Sequence, residues 1–544
     1  MSSGEIITLQ LGNYSNFVGT HYWNIQNEQI VPEQDVTEGQ YLLQKSKLFR
    51  NYDEKTQSGS SKPRLISIDL KGSLHSLSET GSFLSCDDDL SSKGACDGLD
   101  DVDLYKQQRE EKALSENGSE LLNPKSWTDY MRYDLHSNSL YVVDEYIHTI
   151  KDYKFTYCGL GEELYKSSSL ADELEDKLHY WVEECDNIEG FQIFCDVHDG
   201  FSGIGRSVIT DIQEEYGSKS RMLYANWPTR YYETDMPPYL DNITRLVNLA
   251  QAIQGFHECV DLYTLSSLRK SLFGNRNDSI KIPSVPYEPS SLYQTSSVLA
   301  SAINATTLPW RACNRSISMR DVCQQVSQAK WRLAQMSFGA ADVLTEQGNT
   351  FLESSLRLGG LYDKMMTKIV PNQPRISSVP TTQMMVLYGL PQGKMRPQLI
   401  SPDILGQLRL NRDTIGWSQS RILELLNEHF YPSYGTSSIC FAYQNSSNKK
   451  GLPLSKKPRK MEKNGEAKLI SDSSNPTLAS LFTSADSHDL LQELVTLLSK
   501  VNVSKFHALQ EWGLDADTLC ELQEQISNIC QVYDFEKGRQ EYPS

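Results

Sequence analysis

Cys185 to Tyr216 reads CDNIEGFQIFCDVHDGFSGIGRSVITDIQEEY, and it decides the fold. Phe191 to Val197 (FQIFCDV) is an apolar run of strand length, suited to burial on both faces. His198 to Gly205 (HDGFSGIG) is a glycine-bearing loop, and a helix is predicted from about Gly205 to Tyr216. Before the strand, Leu170, Leu174, Leu178 and Val182 fall four apart, as one stripe of a helix does. After it, Arg221 to Asn226 (RMLYAN) reads as the next strand. Helix and strand in such alternation imply a mostly parallel sheet covered by helices.

The amino-terminal end repeats the pattern. Glu5 to Leu11 (EIITLQL) is a strand, Gly12 to Gly19 (GNYSNFVG) a turn-like segment, and His21 to Ile25 begins a helix. Another strand is predicted at Pro63 to Leu70 (PRLISIDL). Further along, helices are expected around 241–254 and 258–272, a helix-rich region over 317–366, and a strand at Thr382 to Leu390. In the tail, Leu490, Leu491, Leu494, Leu497, Leu498 and Val501 form one apolar stripe and Leu519, Leu522, Ile526, Ile529 and Tyr533 another.

Two insertions interrupt this order. Cys86 to Asp103 holds seven Asp among Ser and Gly, and a solvated, disordered acidic insertion is expected over about 78–118. Residues 446–476 are basic, with KKPRK at 456–460, and read as a disordered loop. The expected organisation is a nucleotide-binding-type domain over 1–255, a second α+β domain with connecting helices over 256–445, the basic loop, and a helical region over 477–544.

The 544 residues carry a formal charge of −18, which disfavours general binding to nucleic acid or anionic membrane. No signal peptide, transit peptide or spanning helix is visible, so a cytosolic chain with peripheral membrane contact at most is expected. The 11 cysteines show no CxxC pairing and read as free thiols. His198, Asp199 and Ser202 do not suggest a catalytic triad, because triads are assembled from distant segments.

The two glycine loops carry the functional signal. Ligands bind beyond the carboxyl ends of parallel strands, and glycine loops feeding helices offer N–H groups to phosphate. Neither loop is a Walker A motif or GxGxxG. However, GEIITLQLGNYSNFVGTHYWNI resembles the start of tubulins, with Gly12, Asn16 and Gly19 matching the GQCGNQIG loop pattern. The stretch from Cys185 to Tyr216 is similar to that around the tubulin GGGTGSG loop, and PRLISIDLKGSL resembles the strand and turn VDLEPG. With its rewritten loop and long insertions, the chain resembles the Misato family over nearly its whole length.

That resemblance implies a tubulin/FtsZ-like fold and a nucleotide site reduced to Gly12, Asn13, Asn16, Asp199, Gly200, Ser202, Gly203 and Gly205. His198 and Asp199 stand where tubulins place glycines, and Phe201 adds bulk. An LNADL-like motif is missing from Leu308 to Val322, where Asp321 is the nearest acid. No catalytic residue, metal or obligate cofactor is therefore expected, with GTP and Mg²⁺ as the alternative. The family resemblance implies a role in mitochondrial distribution, morphology and network fusion, in cytoplasm and at the mitochondrial outer membrane. Alternatives are a non-polymerising GTP switch or a tubulin and spindle-assembly cofactor. Expected partners are proteins, tubulin or its folding machinery and mitochondrial surface proteins among them.

Overall fold

The structure is a computed structural model. It describes residues 4–28, 45–50, 61–75, 77–78, 81, 124–273, 279–282, 285–311, 317–328, 330–340, 366–371, 382–390, 398–400, 408–410, 438–444, 477–503, 510 and 512–534. The basic loop and nearly all of the acidic insertion lie outside these residues.

Eleven strands form one sheet. They are β1 (Glu5–Leu11), β2 (Leu65–Lys71), β3 (Leu140–Ile147), β4 (Ile188–Asp196), β5 (Ser220–Trp227), β6 (Leu262–Ser267), β7 (Leu333–Ala340), β8 (Thr367–Lys368), β9 (Thr382–Leu390), β10 (Ser438–Gln444) and β11 (Thr477–Thr483). The order is β10-β9-β11-β7-β6-β5-β4-β1-β2-β3, with β8 on β7. From β3 to β7 every neighbouring pair is parallel. β11 runs antiparallel between β7 and β9. Strands from the expected 1–255, 256–445 and 477–544 regions thus share one sheet.

Helices cover both faces. α1 (Asn13–Glu28), α6 (Leu292–Thr306) and α7 (Met319–Ser327) pack on one side, around Phe17, Tyr22, Trp23, Leu299 and Val322. α2 (Cys158–Ser167), α3 (Leu170–Glu183), α4 (Phe201–Glu215), α5 (Pro238–Cys259), α8 (Asp486–Leu498) and α9 (Ala516–Val532) pack on the other. Burial on both faces explains why β4 and β5 are buried along nearly their whole length. The stripes at 170–178, 490–498 and 519–529 face this second core, as their spacing predicts. No helix among the described residues is long and apolar enough to cross a membrane.

Several sequence expectations change. The turn expected over Gly12–Gly19 is helical from Asn13, because Gly12 alone turns the chain at φ 108°. The loop expected over His198–Gly205 ends at Gly200, and α4 begins at Phe201. The helix expected over 258–272 is strand β6: LYTLSS lies buried on both faces, and its Tyr and Thr suit a strand. Within 317–366, α7 is followed by strand β7. The tail region opens with strand β11 before its helices.

Candidate functional site

The carboxyl ends of β1, β2, β4 and β5 converge on one buried polar cluster. β4 ends in Asp196, whose carboxylate reaches the start of α1. It accepts from the Tyr14 amide at 2.9 Å, the Ser15 amide at 2.8 Å and the Ser15 hydroxyl at 2.7 Å. Such amides, freed by the missing preceding turn and biased positive by the helix dipole, are where a helix receives a phosphate. Here an internal carboxylate fills that role. Gly12 permits the approach, since a Cβ there would lie 2.5 Å from the Asp196 carboxylate. Asn226, beside Asp196 in register on β5, donates to the Ser15 hydroxyl at 3.0 Å.

Asp69, on β2, makes a second knot. Its carboxylate accepts from Asn13 at 3.1 Å, Asn16 at 3.2 Å and the Trp127 indole at 2.8 Å. Tyr232 donates to Asn13 Oδ1 at 2.6 Å and so covers the start of α1.

Asp199 organises the rewritten loop. It accepts from the Tyr153 hydroxyl at 3.0 Å and the Phe201 amide at 3.1 Å. The Ser202 hydroxyl and amide both donate to the Asp199 carbonyl, and the Gly200 amide donates to Phe155. The Gly203 and Ile204 amides donate to the Gly200 carbonyl. Every amide from Gly200 to Ile204 therefore has an acceptor inside the protein. Phe201 is fully buried, with its ring edge-on to Phe155. His198 stacks on Tyr231, and Asn248 and Arg245 donate to its carbonyl.

Of the sequence-predicted residues, the structure gathers Gly12, Asn13, Asn16 and Asp199 at the sheet edge, with Gly200 behind them. Ser202, Gly203 and Gly205 lie in α4. Their glycines serve close packing: a Cβ on Gly203 would sit 2.0 Å from the Cys158 carbonyl oxygen, and one on Gly205 2.6 Å from Cys195 Sγ. Asp321, the acid nearest the missing motif, caps α7 through Ser318. Sequence reasoning passed over Asp196 and Asp69, although an acid closing a buried apolar strand was the available signal. Tyr153, Tyr232, Trp127 and Asn226 have no local signal and arrive by topology.

The cluster is acidic and buried. Burial, then the neighbouring Asp199 charge, pushes Asp196 well above the carboxylate range despite its three hydrogen bonds. Burial also pushes Asp199 up to about 7. Burial, with the charges of Arg245 and Arg269, holds the His198 imidazole well below its ordinary value, so it is neutral near pH 7.

A guanine nucleotide, implied by the fold, does not fit these residues. Its phosphates would meet amides that already have acceptors and would lie beside buried carboxylates.

Comparison with known proteins agrees with the tubulin-like fold. Residues 4–121 match the Misato Segment II tubulin-like domain and residues 121–312 the Tubulin domain. The chain is 27% identical over 570 residues to Protein misato homolog 1 of Homo sapiens, covering 97% of this chain and 98% of the relative. Against Protein misato homolog 1 of Danio rerio it is 30% identical over 364 residues, 58% and 60% of the two chains. Against Protein misato of Drosophila melanogaster it is 26% identical over 468 residues, 78% and 79%. With its parallel, helix-covered sheet and these matches along its length, the chain belongs to the Misato family of tubulin-like proteins.

Proposed function

We propose that this chain is a non-enzymatic, tubulin-like interaction protein that needs no nucleotide, and that it acts in mitochondrial distribution, morphology and fusion. One observation carries the first half: the Asp196 carboxylate occupies the α1 amides that would grip a phosphate. The engaged amides from Gly200 to Ile204 support it. The mitochondrial half rests on the family resemblance.

On this reading the sheet is a scaffold and the working surfaces lie outside the old ligand edge. The chain works in the cytoplasm and peripherally at the mitochondrial outer membrane. Its partners are proteins: mitochondrial surface proteins, tubulin, or the tubulin-folding machinery. The test is complementation. Cells depleted of the protein should regain a normal mitochondrial network from a copy carrying Asn13→Ala, which removes a side chain that the resemblance to the tubulin loop assigns to the nucleotide. Failure of this copy at wild-type abundance, with rescue by the wild type, would contradict a nucleotide-independent role. No rescue by the wild type itself would contradict the mitochondrial one.

A further inference from the structure

The buried cluster poses a charge problem. Asp69, Asp196, Asp199 and Asp241 are all buried there, facing two buried arginines, Arg245 and Arg269. Arg245 pairs with Asp241 at 2.8 Å. Arg269 sits over the Trp227 and Tyr231 rings. Four acids against two bases leave two negative charges when all are ionised. Buried charges must be compensated by a proton, a partner or a metal ion.

Asp196, His198 and Asp199 offer ligand atoms that all lie within 4.8 Å of one another. His198 Nε2 is 3.4 Å from Asp199 Oδ2. Metal bonds of about 2.0–2.1 Å in a tetrahedral site place neighbouring ligand atoms about 3.4 Å apart. Two buried polar atoms of the neighbouring elements have no hydrogen-bond partner. His198 is only 5% exposed, yet its Nδ1 has no hydrogen-bond partner. Asn226, level with Asp196 on the neighbouring strand, is 0% exposed, and its Oδ1 has none either. An orphaned buried acceptor is costly, by roughly 1–3 kcal/mol, so the Asn226 Oδ1 on the strand beside Asp196 points to a cation that uses it.

We propose that Asp196, His198 and Asp199 hold one divalent transition-metal ion, Zn²⁺ or Mn²⁺, at the carboxyl edge of the sheet with no nucleotide present. One imidazole with two carboxylates suits these ions rather than Ca²⁺ or Mg²⁺, which prefer all-oxygen shells. Tyr153 on Asp199, and Tyr14 and Ser15 on Asp196, orient the two carboxylates from behind. On binding, the ion takes the place of protons on the two carboxyl groups and fastens the end of β4 to the loop that follows it. A solvent-facing trio, Glu175, His179 and Glu215, contrasts with this site: its histidine already bonds Glu215 at 2.8 Å.

The experiment is metal analysis of the full chain, purified without chelator or nucleotide, by plasma mass spectrometry with thermal melting alongside. About one equivalent of Zn²⁺ or Mn²⁺ per chain is expected, with Tm lowered by a few degrees on chelation and restored by the metal alone. His198→Gln and Asp199→Asn should each lose at least tenfold in occupancy while keeping the wild-type circular dichroism. If a variant does not fold, the wild-type chelation and restoration result decides. A folded wild type with only background metal, and a Tm indifferent to chelator and to millimolar Zn²⁺ and Mn²⁺, overturns the proposal. So does full occupancy in both variants, or uptake only when GTP is added. GTP binding alongside nucleotide-free metal uptake would count against the functional reading and leave the metal site standing.

Discussion

The carboxylate of Asp196 accepts both the amide and the hydroxyl of Ser15, at 2.8 and 2.7 Å, across 181 positions of sequence. This contact joins the end of the fourth strand to the start of the first helix, where a related nucleotide-holding protein would place a phosphate. If the carboxylate stands in for that anion, removing it should expose the vacancy. Asp196→Ala leaves two amides and a hydroxyl without an acceptor, a loss of about 1–3 kcal/mol in urea denaturation. The same variant should gain thermal stability from tens of millimolar phosphate or sulfate, whereas the wild type does not. A variant as stable as wild type, or indifferent to both anions, would refute the substitution of carboxylate for phosphate.

The glycines of the rewritten loop make a second prediction. Gly203→Ala drives a methyl into the Cys158 carbonyl, and a Cβ on Gly200 would meet the Phe155 ring at 2.6 Å. Each should cost about 1–3 kcal/mol through overpacking. The loss should be the same with and without GTP, measured by chemical denaturation. A stability loss that GTP reverses would return these glycines to a nucleotide.

How much of this was legible beforehand follows from locality. Strand β1, helix α3 and strand β9 announce themselves through composition or period over consecutive residues, and the structure places them at Glu5–Leu11, Leu170–Glu183 and Thr382–Leu390. Helix α1 was read short because its first turn is satisfied by Asp196, which no window around Asn13 contains. Strands β6 and β7 were read as helical because buried parallel strands lose the alternation that marks half-exposed ones. At the candidate site, the glycine loops showed the place. The residues that fill it, Asp196, Asp69, Tyr153 and Tyr232, come from four separate segments.

Histidine 21 gives a pH prediction. It is buried on α1 between the Tyr130 and Tyr293 rings, and its Nε2–H donates to the Tyr293 carbonyl at 3.0 Å. Burial holds it down to about 3, from an ordinary 6.5. The unfolded chain therefore binds this proton more tightly than the folded one. Stability from His21 is intact above about pH 6.5 and falls as pH drops toward the folded value, by roughly 2 kcal/mol between pH 6.5 and 5. His21→Gln should flatten that part of the stability–pH profile. An unchanged slope in the variant would show that His21 does not set it.

Lys368 and Asp486 form a wholly buried ion pair at 2.5 Å, fixing β8 to the start of α8. Removing one partner takes the nearest compensating charge away from a buried ion. Lys368→Met or Asp486→Asn should each cost about 3–5 kcal/mol, and Lys368→Met with Asp486→Leu should recover much of it. Strictly additive losses in the double variant, read by urea denaturation, would contradict this coupling.

The most direct test is isothermal titration of the purified full chain with GTP and Mg²⁺ at sub-millimolar concentration. A cradle already closed by Asp196, Asp199 and their donors predicts no saturable heat and no phosphate release. Saturable binding at one site per chain, lost in Asn13→Ala, would contradict it.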